Sequence, residues 1–255
     1  MDIKTLPVFG IISWFPDKEP NRTQRINRLN KMLNQLIELF GDDIHFMIIA
    51  QNWKDYKIPS NIKNITIFKY NKLGILGARK TLGKHFLESP YNYLIMCDDD
   101  IILKTSPTFS KEYFFEELNK HPRGFVFLNY KWSLTFCAIS KWIYKDCPMI
   151  DIDPEKNEGY EDTTYSYLLH YKHMDKEFSL KGIEFVQHRK VYRSNLKSTW
   201  RGNKSDSITL DEFTKFYIRR FKQGLFKIDD NLKRKAKNLC FVFIYLRKLK
   251  RLNKK

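Results

Sequence analysis

The sequence predicts an α/β domain built on a parallel sheet, followed by a basic helical appendage. Two observations carry this prediction. Short apolar runs alternate with segments of helical periodicity over the first 100 residues, and cationic residues are concentrated in the last 50. With 255 residues, of which 42% are hydrophobic, the chain is long enough for one large core. We therefore expect the α/β domain to span 1–205 and the appendage 206–255.

The first 100 residues alternate between strand and helix patterns. Four apolar runs are typical of buried strands: 8–15 (VFGIISWF), 44–50 (IHFMIIA), 65–70 (ITIFKY) and 93–97 (YLIMC). The first helix is predicted by apolar residues at helical spacing, namely Ile26, Leu29, Leu33, Leu36, Ile37 and Phe40, and it ends at Gly41. A second helix is predicted over 76–89. This order favours a parallel sheet of the nucleotide-binding type, with ligands beyond the carboxyl ends of the strands.

The rest of the domain carries weaker patterns. Three further strands are predicted: 124–130 (GFVFLNY), 133–140 (SLTFCAIS) and 182–188 (GIEFVQH). The segment EGYEDTTYSYLLHYK begins as a loop and continues as a helix.

Three adjacent carboxylates, Asp98, Asp99 and Asp100, follow the fourth strand directly. They repel one another, and partial desolvation raises that cost, so a divalent cation is expected to offset it. On an extended strand end, Asp98 and Asp100 project to the same side and Asp99 to the other. The pattern thus predicts Mg²⁺ or Mn²⁺ between Asp98 and Asp100. The alternative is an ordinary acidic turn or helix cap.

Several cations are placed to bind phosphate at the same edge. Arg79 and Lys80 are predicted at the start of the second helix, where a helix N-terminus favours anions. Arg22 and Arg25 follow the first strand and are candidates to contact a phosphate or a base, although a solvated helix face is the alternative. Two more candidates, Arg193 and Lys197, follow the last predicted strand and suit a phosphate clamp.

A second acidic site lies in GYEDTT, where Glu161 and Asp162 are either an ordinary helix-start pair or part of a substrate-facing loop. His188 closes the last predicted strand and is either structural or a third metal ligand. The shapes of the loops around Trp132 and Tyr160 are expected to decide which substrates bind beside these residues.

Together these motifs resemble the GT-A glycosyltransferases over roughly residues 6–200. CDDDIIL looks like their DxD motif, and LGILGARKTLGK is similar to the nucleotide-contacting segment of family-2 enzymes. GYED resembles the Glu-Asp segment of inverting enzymes such as β-1,4-galactosyltransferases, with Gly159-Tyr160 in place of Gly-Gly.

The resemblance implies a role for each candidate residue. Asp98 and Asp100, with His188, would bind the metal, and Asp99 would contact the ribose or the donor sugar. Asp162 would be the general base and Glu161 would orient the acceptor hydroxyl. Trp132 and Tyr160 would line the acceptor site.

The function implied is metal-dependent, inverting transfer of a sugar from a nucleotide-diphosphate donor, with UDP-sugars favoured. The acceptor would be a hydroxyl of a glycan or a lipid-linked molecule. Frequent Lys, Asn and Ile suggest an AT-rich bacterial genome, and hence surface polysaccharide synthesis. Two other classes stay open. A metal-dependent nuclease or phosphotransferase would also use a carboxylate cluster, and a basic tail would suit a nucleic-acid-binding protein. Since no nucleic-acid motif is recognised, we expect no nucleic-acid partner.

The tail accounts for most of the formal net charge of +17. Residues 206–255 hold 15 Lys and Arg against 5 Asp and Glu, a net charge of +10. Two basic amphipathic helices are predicted there, which either pack on the domain or lie on anionic lipid. LCFVFIYL is far shorter than the roughly 20 residues that span a bilayer, and no signal peptide is recognised. The expected location is cytoplasmic, peripheral at the inner face of the cell membrane.

Overall fold

A computed structural model describes residues 7–128, 134–149, 165, 166, 169 and 172–187. Of these, residues 184–187 are described by their backbone only. Within these residues the chain forms strands, helices and one 3₁₀ turn, Met174–Lys176. The strands are β1 Val8–Trp14, β2 His45–Gln51, β3 Ile65–Tyr70, β4 Tyr93–Asp98, β5 Ile101–Thr105, β6 Phe125–Phe127, β7 Phe136–Ser140 and β8 Ile183–Gln187. The helices are α1 Asn21–Phe40, α2 Gly74–Glu88, α3 Lys111–Lys120 and α4 Lys141–Asp146.

Six strands form one sheet in the order β3-β2-β1-β4-β7-β6. The four predicted strands β1 to β4 are all parallel, and β1 lies between β2 and β4. β7 runs antiparallel to both of its neighbours, which the sequence pattern did not indicate. The carboxyl ends of β1, β2, β3 and β4 consequently meet along one edge, where a ligand is expected.

Helices cover both faces of the sheet because neighbouring residues of the parallel strands point to opposite sides. In β1, Phe9 and Ile11 pack with α1 and α3, whereas Val8 and Ile12 pack with α2 and α4. Both sets are almost completely buried. The α/β fold class predicted from the sequence, with a central sheet between helical layers, is therefore confirmed.

Some elements differ from their predicted form. β8 is present but pairs with β5 in a separate two-stranded antiparallel sheet, from Ile101 opposite Gln187 to Thr105 opposite Ile183. α3 and α4 were not predicted. Each begins after a serine, Ser110 or Ser140, that accepts a hydrogen bond from a backbone N–H three residues later. Capping serines satisfy the first turn of short helices whose apolar pattern is too brief to recognise.

α2 approaches α4 so closely that Gly83 has no room for a side chain. A Cβ atom there would overlap the hydroxyl and ring of Tyr144, which is buried. Gly77 lies on the same helix, and within the described part of the chain its Cβ would meet only the Leu73 Cβ, at 3.3 Å.

Because overpacking destabilises a close contact, we expect Gly83→Ala to lower the free energy of unfolding by about 1–3 kcal/mol. Gly77→Ala is the matched control and should be within about 1 kcal/mol of wild type, since alanine favours the helix. Urea titrations of the two variants compare them directly. Equal stabilities would contradict the packing described for Tyr144.

None of the helices in the described residues combines the length and the apolar character that crossing a bilayer requires. The predicted boundary at residue 205 and the basic appendage 206–255 lie outside the described residues.

Candidate active site

The acidic triplet lies at the carboxyl edge of the sheet, where β4 ends and the chain leaves the main sheet. Asp98 is the last residue of β4, and Asp99 and Asp100 form the turn into β5. The sequence pattern predicted an extended strand through Asp100, but the strand ends at Asp98. A turn is favoured because β5 pairs with β8 and not with the main sheet.

Asp99 is directed into the protein, and 4% of its surface is exposed. Ser13, near the end of β1, donates its hydroxyl to Asp99 Oδ2 at 2.7 Å. Arg25 on α1 donates to Asp99 Oδ1 at 2.8 Å, and the Trp14 backbone contributes a further hydrogen bond. Trp53 in turn donates its indole N–H to Ser13 Oγ at 3.3 Å. Both carboxylate oxygens of Asp99 are thus occupied by protein donors.

Asp98 and Asp100 are partly exposed, with 24% and 18% of their side chains accessible. Arg79 Nη2 lies 3.0 Å from Asp98 Oδ1, and Arg25 Nη1 lies 3.6 Å from Asp100 Oδ2. Within the described part of the chain, Asp98 Oδ2 and Asp100 Oδ1 make no hydrogen bond or ion pair. The triplet divides into an inward Asp99 and an accessible pair, and the metal-binding role of that pair stays a prediction.

Burial is the largest cause of the pKa shifts of Asp99 and Asp100. It raises the pKa of Asp100 to about 6, with a further increase from Asp99 and Asp98 and an opposing effect from Arg25. Burial also raises the pKa of Asp99, against the effects of Arg25 and the Ser13 hydrogen bond. For Arg25, burial alone would lower the pKa, but the three carboxylates raise it above its ordinary value. The fold consequently disfavours the ionised form of Asp100.

This predicts a pH-dependent gain of stability for Asp100→Asn. The folded-state pKa of Asp100, about 6, is above the ordinary value of 3.8, so ionised Asp100 destabilises the fold as pH rises through this window. We expect the variant to be more stable than wild type by about 2 kcal/mol at pH 8, and equal to it near pH 4. Urea titrations in EDTA at both pH values measure this, and lower stability at pH 8 would contradict it.

Arg79 lies on α2 and is 95% buried behind Asp98. α2 begins at Gly74, two residues before its predicted start, so Arg79 and Lys80 occupy its second turn and not its first. The start of α2 is instead held by Gln51 at the end of β2, whose Oε1 accepts from the Leu73 N–H at 2.7 Å. Among the described residues, Gln51 Nε2 is buried without a hydrogen-bond partner.

Arg22 connects the loops that follow β1 and β2 through hydrogen bonds. Its guanidinium donates to the carbonyls of Pro16, at 3.4 Å, and Asn52, at 3.3 Å, and also to that of Lys54. It lines an open cleft of about 470 Å³ together with Asp17, Ile26, Lys54, Asp55, Tyr56 and Lys57. These contacts give Arg22 a structural role, and its predicted contact with a nucleotide stays a prediction.

Seven predicted site residues lie outside the described residues: Trp132, Tyr160, Glu161, Asp162, His188, Arg193 and Lys197. Conversely, the described geometry adds Ser13, Arg28 and Trp53 to the surroundings of the acidic triplet, and Gln51 to the contacts at the start of α2. Ser13 and Gln51 could have been identified from the sequence as candidate site residues, because each is a polar residue within or at the end of an apolar strand. Arg28 had a weaker signal, because it lies one helical turn after Arg25.

The donor set fits a hard divalent cation. Carboxylate oxygens suit Mg²⁺ and Mn²⁺, and Asp98 and Asp100 each present one oxygen that the described residues leave without a partner. The described residues contain no group of three His, Cys, Asp or Glu side chains arranged around one point. Further ligands would therefore have to come from elsewhere, such as His188, water or a bound phosphate.

No protein-family profile matches the sequence, and no curated protein matches it either. Solved structures do resemble the fold. A candidate nucleotide-diphospho-sugar transferase from Desulfovibrio desulfuricans G20 is 13% identical, with a TM-score of 0.46 over 84% of this chain and 97% of that one. A197 from STIV is 13% identical, with a TM-score of 0.40 over 71% and 85%. A 4-diphosphocytidyl-2C-methyl-D-erythritol synthase from Anaerococcus prevotii DSM 20548 is 12% identical, with a TM-score of 0.36 over 71% and 89%. With values this low, function has to be inferred from the chain's own residues.

Proposed function

We propose that this protein is a metal-dependent, inverting glycosyltransferase that uses a nucleotide-diphosphate sugar, preferably a UDP-sugar. One observation carries the proposal. The turn that ends β4 turns Asp99 inward and leaves Asp98 and Asp100 accessible at the carboxyl edge of four parallel strands. This edge is where α/β sheets bind nucleotides, and the buried Arg79 lies directly behind it.

In this proposal Asp98 and Asp100 hold Mn²⁺ or Mg²⁺, with His188 as a third ligand. When bound, the metal would neutralise charge on the donor diphosphate, which becomes the leaving group. Arg79, Arg193 and Lys197 would contribute fixed positive charge to the same phosphates. These cations favour cleavage because negative charge grows on the departing diphosphate.

The proposed reaction also requires a base on the face of the sugar opposite the departing diphosphate. The acceptor hydroxyl oxygen attacks the anomeric carbon as the bond to the diphosphate oxygen breaks, and that electron pair leaves with the nucleoside diphosphate. Asp162 takes the hydroxyl proton, and Glu161 orients the acceptor. Trp132 and Tyr160 would line the acceptor site. Direct displacement inverts the anomeric configuration.

The test is a screen of UDP- and GDP-sugars for release of nucleoside diphosphate, with Mn²⁺ or with EDTA. We expect slow hydrolysis of one donor that depends on Mn²⁺. Parallel incubations with DNA and RNA test the nuclease alternative. Cleavage of nucleic acid without any donor hydrolysis would overturn the proposal, as would hydrolysis that EDTA leaves unchanged.

We further propose that the acceptor is a glycan or a lipid-linked molecule in bacterial surface polysaccharide synthesis, met at the inner face of the membrane. The net charge of +10 in 206–255 supports this, because each cation near an anionic surface adds roughly 1 kcal/mol of attraction. The full chain should co-sediment with anionic vesicles at low salt, and high salt should release it.

A chain cut near Asp229 is the control for the membrane proposal. It should lose vesicle binding and keep donor hydrolysis. Equal binding to neutral and anionic vesicles, or no binding, would favour a tail that packs on the domain.

A further inference from the structure

Arg25 places a fixed positive charge against the acidic turn. Its Nη1 atom lies 2.8 Å from Asp99 Oδ1 and 3.6 Å from Asp100 Oδ2. Only 14% of its side chain is exposed. One helical turn further along α1, the charge of Arg28 also acts on Asp100. Asp100 therefore faces two cations of the same helix.

Asp99 is what keeps Arg25 in this position. Ser13 donates a hydrogen bond to the other carboxylate oxygen of Asp99 and accepts one from Trp53, which lies two residues after the end of β2. A guanidinium that left Asp99 would strand a buried carboxylate, which is strongly unfavourable. Arg25 is consequently anchored and is not a mobile surface charge that could swing aside when an ion arrives.

The charges of the described cluster are balanced before any ligand binds. Three carboxylates (Asp98, Asp99 and Asp100) face three guanidinium groups (Arg25, Arg28 and Arg79). A divalent ion at Asp98 and Asp100 would leave the cluster with an excess charge of +2. It would also lie within several ångströms of Arg25, where like charges repel appreciably. A nucleoside diphosphate brings the negative charge that removes this excess.

We propose that Arg25 is a positioning residue that prevents the acidic turn from binding a divalent ion by itself, so that the ion binds together with the nucleoside diphosphate. This rests on the proposed function, since it takes Asp98 and Asp100 as the metal site. Arg25 then sets the order of assembly, and Asp99 acts through Arg25 and does not touch the ion.

The test measures Mn²⁺ binding directly, by the loss of the free Mn²⁺ signal in electron paramagnetic resonance. Wild type is compared with Arg25→Gln and with Lys31→Gln. Lys31 is an exposed residue of the same helix, so its variant has the same change in net charge. Without nucleotide, we expect Arg25→Gln to bind Mn²⁺ at least about tenfold more tightly than wild type. Lys31→Gln should behave as wild type. In excess UDP the affinity of wild type should rise and the advantage of Arg25→Gln should shrink.

A second variant guards against misfolding. Arg25→Gln leaves Asp99 buried and unpaired, whereas the double variant Arg25→Gln/Asp99→Asn removes that charge and keeps an acceptor for Ser13. Circular dichroism shows whether each variant folds. The double variant is compared with Asp99→Asn, from which it differs only by the charge of Arg25, and it should bind nucleotide-free Mn²⁺ more tightly than Asp99→Asn.

The outcomes separate this inference from the proposed function. If Asp99→Asn and the folded double variant bind Mn²⁺ equally without nucleotide, but UDP tightens binding in both, the role of Arg25 is wrong and the metal site stands. If no variant binds Mn²⁺ even with UDP, both the inference and the proposed metal site are overturned.

Discussion

The Asp100→Asn variant is expected to lose donor turnover by about 10³-fold or more while its fold becomes more stable at pH 8. Asparagine keeps the size of Asp100 but removes the negative charge that would bind the divalent ion. Without that ion, the charge that develops on the leaving diphosphate is not neutralised, and interactions of this kind contribute several kcal/mol to catalysis. Loss of activity together with a gain of stability would exclude misfolding as the cause.

Two measurements check this result. Release of nucleoside diphosphate from the donor reports turnover, and the Mn²⁺-dependent rise of Tm in UDP reports metal-linked binding. Asp43→Asn is the matched control, because Asp43 is an exposed carboxylate in the loop after α1 and should leave both readouts unchanged. Wild-type turnover in Asp100→Asn would remove Asp100 from the metal site.

The sheet was predictable because its central strands are buried on both faces. Such strands need apolar, β-branched residues at almost every position, so β1, β2 and β4 stand out as continuous runs. β3 is only partly buried along its length, yet its predicted bounds match the observed Ile65–Tyr70. The direction of β7 was not predictable in this way, because hydrophobic runs do not record which way a strand points.

The details of the acidic site depended on contacts between distant residues. The sequence places Asp99 beside Asp98 and Asp100, but its inward orientation depends on Ser13, which is 86 residues away. The pairing of Arg25 with Asp99 likewise joins α1 to the end of β4 across 74 residues. Local periodicity carries no information about such pairs. A polar residue in a buried strand, like Ser13 in β1, was the available signal, because a buried hydroxyl requires a partner.

The largest remaining effect is expected for Asp162→Asn, which tests the proposed base. Amide and carboxylate have nearly the same size, so acceptor and donor should still bind, but the amide cannot accept the hydroxyl proton. Turnover should fall by about 10²–10⁴-fold.

The binding readouts for Asp162→Asn should stay at wild-type values, in contrast to those for Asp100→Asn. The variant should also lose the acidic limb of the pH–rate profile, since that limb reports ionisation of the base. Glu161→Gln is the matched control, because it removes the neighbouring charge and should affect the acceptor KM more than kcat. If Glu161→Gln loses turnover and Asp162→Asn keeps it, Glu161 is the base. If Asp162→Asn loses donor binding instead of turnover, this pair belongs to the donor site and the proposed division of roles is wrong.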